Sequence, residues 1–191
     1  LTGHAPRREQ YVPYLLPSPK VEPPYCYRCP FGKTYPECAL ACADDLEDTV
    51  RRIGPANMSA FIVEPVSGGP LGALVPPAGY LKRIREICDC HGILMIADEV
   101  VTGAGRTGKP LGIDHFDVVP DIVTMAKGIG GGLVPVGAVL VHDRIVRRFE
   151  EKRAAFRHGE TFTGHAVVAA TGAAVLAKLE RDRLIERAAM M

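Results

Sequence analysis

Three short apolar runs, each closing on a polar or ionisable residue, constrain this chain more than any other feature of its sequence. Ser59 to Val63 runs into Glu64-Pro65, Ile93 to Ala97 ends in Asp98, and Ile122 to Met125 ends near Lys127. Runs of this length suit strands, and continuous apolar runs, as opposed to alternating ones, indicate strands covered on both faces. A fourth apolar stretch spans Val136 to Val141. Between the first two runs, Leu81, Ile84, Ile87 and Cys88 follow helical spacing on a segment closed by Gly92. Asp44-Asp45-Leu46-Glu47 reads as an acidic helix start and Gly54-Pro55 as its stop, which predicts a helix over about 44 to 53. From Asp143 onward the chain reads as largely helical, with Ala166 to Leu179 a small-residue helix suited to close packing. Strands alternating with helices make this an α/β chain, with a mostly parallel sheet flanked by helices. No internal repeat is visible.

The 191 residues suffice for one hydrophobic core, since a chain of this size buries roughly 70% of its extended surface. Apolar content of 47% excludes disorder, and 23 Lys plus Arg against 22 Asp plus Glu gives no general attraction to nucleic acid or anionic lipid. No apolar run approaches the ~20 residues of a membrane helix and the N-terminus has no signal-peptide core, so a cytoplasmic protein is expected. The chain begins with Leu1 rather than Met and opens on what reads as mid-domain loop, so we expect an internal piece of a longer protein. Eight of the 16 prolines, five of the six tyrosines and one of the six phenylalanines precede Glu37. That segment cannot be a regular helix. Its aromatics, Tyr11, Tyr14, Tyr25, Tyr27, Phe31 and Tyr35, are expected to anchor an extended arm to another surface.

In a doubly wound sheet the ligand sits at the carboxyl ends of the strands. Glu64, Asp98 and Lys127 occupy such places. Alone, Asp98 reads as a strand-end residue capping a loop and Lys127 as a solvated lysine. Together they mark a site, because Lys127 lies between an apolar strand and Gly128-Ile129-Gly130-Gly131-Gly132, where little side-chain bulk could crowd it. Gly103-Ala104-Gly105-Arg106-Thr107-Gly108-Lys109 has the spacing of a phosphate-binding loop. It runs into Pro110 where that motif needs a Ser or Thr hydroxyl for Mg²⁺, so a glycine-rich turn pinned by Arg106 is the expected structure.

Glu64-Pro65-Val66, then Ile96-Ala97-Asp98-Glu99-Val100 with Gly103-Ala104-Gly105-Arg106-Thr107-Gly108, then Met125-Ala126-Lys127-Gly128, then Gly159-Glu160-Thr161-Phe162-Thr163-Gly164-His165 occur in that order. In this the chain resembles the class III aminotransferases, pyridoxal 5'-phosphate enzymes of fold type I. Tyr25-Cys26-Tyr27-Arg28-Cys29-Pro30-Phe31-Gly32 and the Thr-Phe-Thr-Gly-His ending resemble the branch that uses ω-amino acids or amines with pyruvate. The resemblance implies a partial fold-type-I large domain. Residues 1–43 would be a Pro, aromatic and Cys-rich arm within it, and residues 44–191 its central and C-terminal part, without the N-terminal part and the small C-terminal domain.

The same resemblance implies roles. Lys127 would bond the cofactor aldehyde, be displaced by the substrate amine and then move the proton, tasks for which a buried lysine of depressed pKa is suited. Asp98 would pair with the pyridine nitrogen and hold it protonated, making the ring an electron sink. Val100 would share Asp98's face if the strand continues, and pack on the ring; its plain alternative is core. Thr161 would bind the phosphate of a neighbouring subunit in a homodimer with a shared active site, while a helix-entry hydroxyl before residues 166–179 is equally natural. Glu64 would lie near the substrate entrance. The implied reaction transfers an amino group from an amine or ω-amino acid to a keto acid such as pyruvate. An aminomutase or decarboxylase would use the same cofactor residues, and this chain alone is expected not to catalyse.

Six cysteines need separate treatment. Cys26-x₂-Cys29-x₈-Cys38-x₃-Cys42 partly matches metal-ligand spacing, and a metal-binding module is the rival from another class. The x₃ in the second pair departs from the pattern, so no stoichiometric metal is expected. Disulfides are disfavoured in the cytoplasm. Cys88 and Cys90 read as helix-end packing.

Overall fold

The computed structural model describes residues 3–191. Leu1 and Thr2, which begin the expected arm, lie outside the described residues. The prolines keep the arm irregular. It holds a four-residue helix α1 (Ala5–Arg8) and 3₁₀ turns at Glu9–Tyr14 and Cys26–Arg28. After it come α2 (Ala41–Ile53), β1 (Ala60–Val63), α3 (Tyr80–His91), β2 (Leu94–Asp98), β3 (Ile122–Met125), β4 (Ala138–Val141), α4 (Asp143–Glu151), α5 (Ala166–Arg181) and α6 (Leu184–Met190).

Helix α2 starts at Ala41, three residues before the predicted start. Leu40 turns the chain with φ 60°, and Cys42 and Ala43 extend the buried stripe of Leu46, Thr49 and Val50 backwards at helical spacing. Buried small residues, and not the acidic pair, therefore open the helix. Helix α3 buries Tyr80, Leu81, Ile84, Ile87 and Cys88 and ends as predicted. Gly92 takes φ 67° while Ile93 N–H donates to the Cys88 carbonyl (2.9 Å) and Gly92 N–H to that of Asp89 (3.3 Å), the paired bonds of a Schellman cap. Of the two cysteines expected to pack at this helix end, Cys88 is buried but Cys90 is exposed.

The four strands lie in the order β1-β2-β3-β4. β1 to β2 and β2 to β3 are parallel, with Val63 opposite Ala97 and Asp98 opposite Thr124; β4 runs antiparallel to β3. A mostly parallel sheet is thus what forms. Its coverage differs from the expectation. Met95, Ala97 and Val123 join Leu46, Val50, Leu81, Ile84 and Ile87 in one buried cluster, whereas Leu94, Ile96 and Asp98 on the other face of β2 stay half-exposed. β4 is the extreme case, with Val139 65% and Leu140 48% exposed. An apolar run reports that a strand face suits a cover, but it does not show whether the described chain supplies one.

The arm docks at the edge of this cluster. Val21 and Phe31 pack against it, Glu22 N–H donates to Asp45 Oδ2 (2.8 Å), and Tyr35 OH donates to the Ala78 carbonyl (3.4 Å). Tyr11, Tyr14 and Tyr27 remain exposed, so only part of the aromatic set anchors the arm within this chain.

Asp121 ties the layers together. Its carboxylate, 3% exposed, accepts from Met95 N–H (2.8 Å), Arg85 Nη1 (2.8 Å) and Arg144 Nη2, and its carbonyl accepts from His142 N–H (2.9 Å). One residue thereby joins β2, α3, the end of β4 and α4. Removing one member of such a buried pair leaves a stranded charge, so Asp121→Ala should cost the protein about 3 to 5 kcal/mol. Arg144, whose side chain is 53% exposed, should cost less than about 1 kcal/mol when replaced by Ala. Denaturant titration of the two variants checks this, and equal losses would show that Asp121 is not the node.

Candidate active site

The carboxyl ends of β2 and β3 lie side by side, and they carry the two residues singled out above. Asp98 closes β2, and Lys127 opens the 3₁₀ turn Lys127–Gly130 that follows β3. Strand pairing sets Asp98 against Thr124, three residues before Lys127. Alternation along β2 sends Met95 and Ala97 into the core and Asp98 to the half-exposed face. Asp98 Oδ1 accepts the Val100 N–H (3.1 Å), and Oδ2 has no donor among the described residues. The strand ends at Asp98, so the expectation that Val100 shares its face by continuing the strand fails. Val100 is held beside Asp98 by its own N–H instead.

Lys127 takes φ 43°, a left-handed conformation that costs a non-glycine residue about 1 kcal/mol or more and persists only where the surroundings impose it. The surroundings here are tight. A side-chain carbon on Gly128 would lie 3.1 Å from Ala104 Cβ, and one on Gly131 would lie 3.0 Å from Val175 of α5. The small-residue helix α5 thus rests on the back of the lysine turn, as its composition suggested. Lys127 itself is exposed, which corrects the expectation of a buried lysine. It borders an open, shallow depression lined also by Gly132, Leu133, Val134, Pro135 and Val136, and it has no ion pair among the described residues.

Sequence reasoning missed Glu99. Its side chain is 1% exposed, and its carboxylate accepts from Gly112 N–H (2.8 Å), Ile113 N–H (2.7 Å) and the Thr102 hydroxyl. Its own N–H donates to the Thr124 carbonyl (2.8 Å). The glycine-rich turn is therefore pinned by Glu99 and not by Arg106, which is exposed and makes no hydrogen bond among the described residues. The signal was available, because in an acidic pair at a strand end one member must face inward. Helix α6 seals the turn: side-chain carbons on Gly105 and Gly108 would lie 2.7 Å from Ile185 and from Ala189. Lys109 Nζ donates to the Asp114 carbonyl (2.8 Å), so the stretch is a structural turn and not a phosphate cradle.

Glu64 stands at the same end of the sheet, just past β1, and its Oε2 accepts from Ser67 Oγ (3.0 Å) and Gly68 N–H (2.7 Å). It closes its own loop. Thr161 lies exposed, five residues before α5, whose N-cap is His165. The helix-entry reading of Thr161 is thus corrected, and in the turn before α5 it is Thr163 whose hydroxyl accepts the Glu160 N–H (3.3 Å). Thr161 does not line the depression at Lys127. Among the described residues no group of three His, Cys, Asp or Glu is arranged to hold a metal.

Comparison with known proteins bears on the whole of this layout. The family model described as aminotransferase class-III matches residues 3–191. An adenosylmethionine-8-amino-7-oxononanoate aminotransferase of Nitratidesulfovibrio vulgaris is 40% identical over 179 residues, which are 92% of this chain and 33% of that protein. An omega-amino acid–pyruvate aminotransferase of Pseudomonas putida is 42% identical over 158 residues, 80% of this chain and 35% of that protein. The crystal structure of an (S)-enantioselective omega-transaminase from Thermomicrobium roseum superimposes with a TM-score of 0.82 at 41% identity, over 93% of this chain and 40% of that one. The chain spans 33% to 40% of the length of these relatives. The match takes in both strand ends, the turn that Glu99 pins and the helix behind Lys127, and it shares its α/β fold with fold-type-I transaminases: the chain belongs to the class III aminotransferase family.

Proposed function

We propose that this chain carries the cofactor-handling core of a transaminase that moves an amino group from an amine or ω-amino acid to a keto acid such as pyruvate, using pyridoxal 5'-phosphate. The observation that supports it is the placement of Asp98 and Lys127 at the ends of neighbouring parallel strands. The residues fit that cofactor by their chemistry: Asp98 keeps one carboxylate oxygen free of donors among the described residues, and Lys127 offers an exposed primary amine, without an ion pair among the described residues, beside an open depression. When bound, the cofactor supplies an electrophilic aldehyde and an electron-withdrawing ring.

The chain's own groups do the rest. Asp98 holds the proton on the pyridine nitrogen, a task that needs a carboxylate because a neutral amide cannot balance a cation. Val100, fixed by its N–H to Asp98, packs on the ring face. Lys127 anchors the cofactor and carries the proton to and from the substrate carbon. Thr161 reaches the phosphate bound in a partner subunit, which makes the enzyme a homodimer with shared sites, and Glu64 lies toward the substrate entrance. On this reading residues 1–43 are an arm of the large domain and residues 44–191 its central and C-terminal part. No helix among the described residues is long and apolar enough to cross a membrane, and we place the reaction in the cytoplasm.

Two experiments on the full-length protein test this. Borohydride reduction with pyridoxal 5'-phosphate, followed by peptide mapping, should place the label on Lys127; a label on Lys109 would refute the assignment. Asp98→Asn is nearly isosteric, so cofactor binding should survive in part while turnover falls about a hundredfold or more, equivalent to ~3 kcal/mol of lost stabilisation. Turnover near that of the unmodified enzyme would remove Asp98 from the chemistry.

A further inference from the structure

The arm carries a cluster of cysteines, remote in sequence from Asp98 and Lys127. Cys26, Cys29, Cys38 and Cys42 are all free thiols, and all four line one cavity, walled also by Phe31 and Lys33, where the arm meets the start of α2. The cavity measures about 10 Å³, room for one water at most. It is too small for an organic ligand, and the thiols are not grouped to hold a metal. The chemistry left to them is with one another.

We propose that Cys26 and Cys42 form a reversible disulfide when the protein meets a peroxide, fastening the arm to α2. The two differ in the way such a pair requires. Cys26 is exposed, so an oxidant reaches it, whereas Cys42 is 8% exposed and meets only what the arm presents. The shared cavity brings the two side chains to one place, and burial, with smaller contributions from Cys26 and Cys38, pushes the Cys42 thiol up to about 11, which leaves Cys42 a poor first nucleophile. Cys26 sulfur therefore attacks the peroxide, forming a sulfur–oxygen bond and releasing one water. Cys42 sulfur then displaces hydroxide from Cys26, which leaves as the second water. Two thiols lose two hydrogens and one peroxide is reduced, so atoms and electrons balance.

The link would change what holds the arm. Its polar ties to the body include the Glu22 to Asp45 and Tyr35 to Ala78 hydrogen bonds, each a single contact at exposed positions. A covalent bond from Cys26 to Cys42 would close the loop around Phe31, which packs on the core. A bond that forms only under oxidant and is reversed by thiols is also the kind that a reducing compartment permits.

The test is hydrogen peroxide added to the reduced full-length protein, with intact mass and non-reducing peptide mapping as readouts. The expected result is a loss of about 2 Da per chain, for two hydrogens, with the Cys26 and Cys42 peptides joined and the change reversed by dithiothreitol. Cys29→Ser should leave the link intact. Cys42→Ser should stop at a Cys26 sulfenic acid that dimedone traps. Since Cys42 is buried, Cys26→Ser at an exposed position serves as the second variant, and it should lose the link while its Cys42 stays a free thiol. A Cys26 to Cys29 disulfide with Cys42 free, oxidation of Cys26 to sulfinic acid without cross-linking, or one tightly held zinc per chain that blocks all four thiols would each overturn the proposal.

Discussion

Glu99 is the residue on which the active end of the sheet depends. Burying a carboxylate costs several kcal/mol unless its oxygens are matched by donors, and here two backbone N–H groups and one hydroxyl converge on it. None of the three is a charged side chain. The match therefore rests on where the main chain goes, and the residues from Thr102 to Ile113 must return to Glu99 for the carboxylate to be satisfied at all. A surface ion pair can break and reform with little loss, but this arrangement holds as a unit.

Its consequences spread to both catalytic candidates. Glu99 is adjacent to Asp98 in the chain, so pinning one limits how the other can turn, and its N–H bond to the Thr124 carbonyl carries the constraint across to the strand that ends before Lys127. The turn it holds packs on the lysine turn through Ala104 and Gly128, and α6 closes over it at Gly105 and Gly108. Behind Lys127, Gly172 of α5 sits 3.7 Å, measured from a side-chain carbon placed on it, from the Ile129 carbonyl. Small residues recur at these contacts because the elements approach at backbone distance, where a larger side chain would push Lys127 or Asp98 out of place.

What could be seen beforehand follows the same division between local and non-local causes. The first three strands and α3 lie within a residue or two of their predicted limits, because run length, helical spacing and a glycine stop are properties of a few adjacent residues. Asp98 and Lys127 were recognisable for a related reason: polar residues that end apolar strands must emerge at the sheet's edge. The misreadings concern partners. Arg106 reads from the sequence as the grip on the turn that Glu99 provides, because the acidic pair shows that one carboxylate turns inward but not that the main chain of Gly112 and Ile113 returns to meet it. The two-sided cover expected for the strands, and with it the burial of Lys127, presupposed neighbours that the described residues do not supply. Val100 lies beside Asp98, but through a hydrogen bond from a turn and not through strand alternation.

Position and seclusion are thus separable in this fold. The groups that would act on a substrate amine are placed by contacts internal to the chain: Glu99, the small residues of α5 and α6, and the strand register. Proton transfer at carbon also needs water kept away, because low local polarity strengthens the electrostatics that hold the charges in place. Beside Lys127 the chain presents the opposite, with Leu133 76% exposed. A large apolar side chain at such exposure offers surface on which further protein can pack. The relatives it matches are more than twice as long as this chain. The division explains how Asp98 and Lys127 hold their places here with little cover: the turns behind them set the geometry, and the dryness that proton transfer needs would have to come from a cover in front.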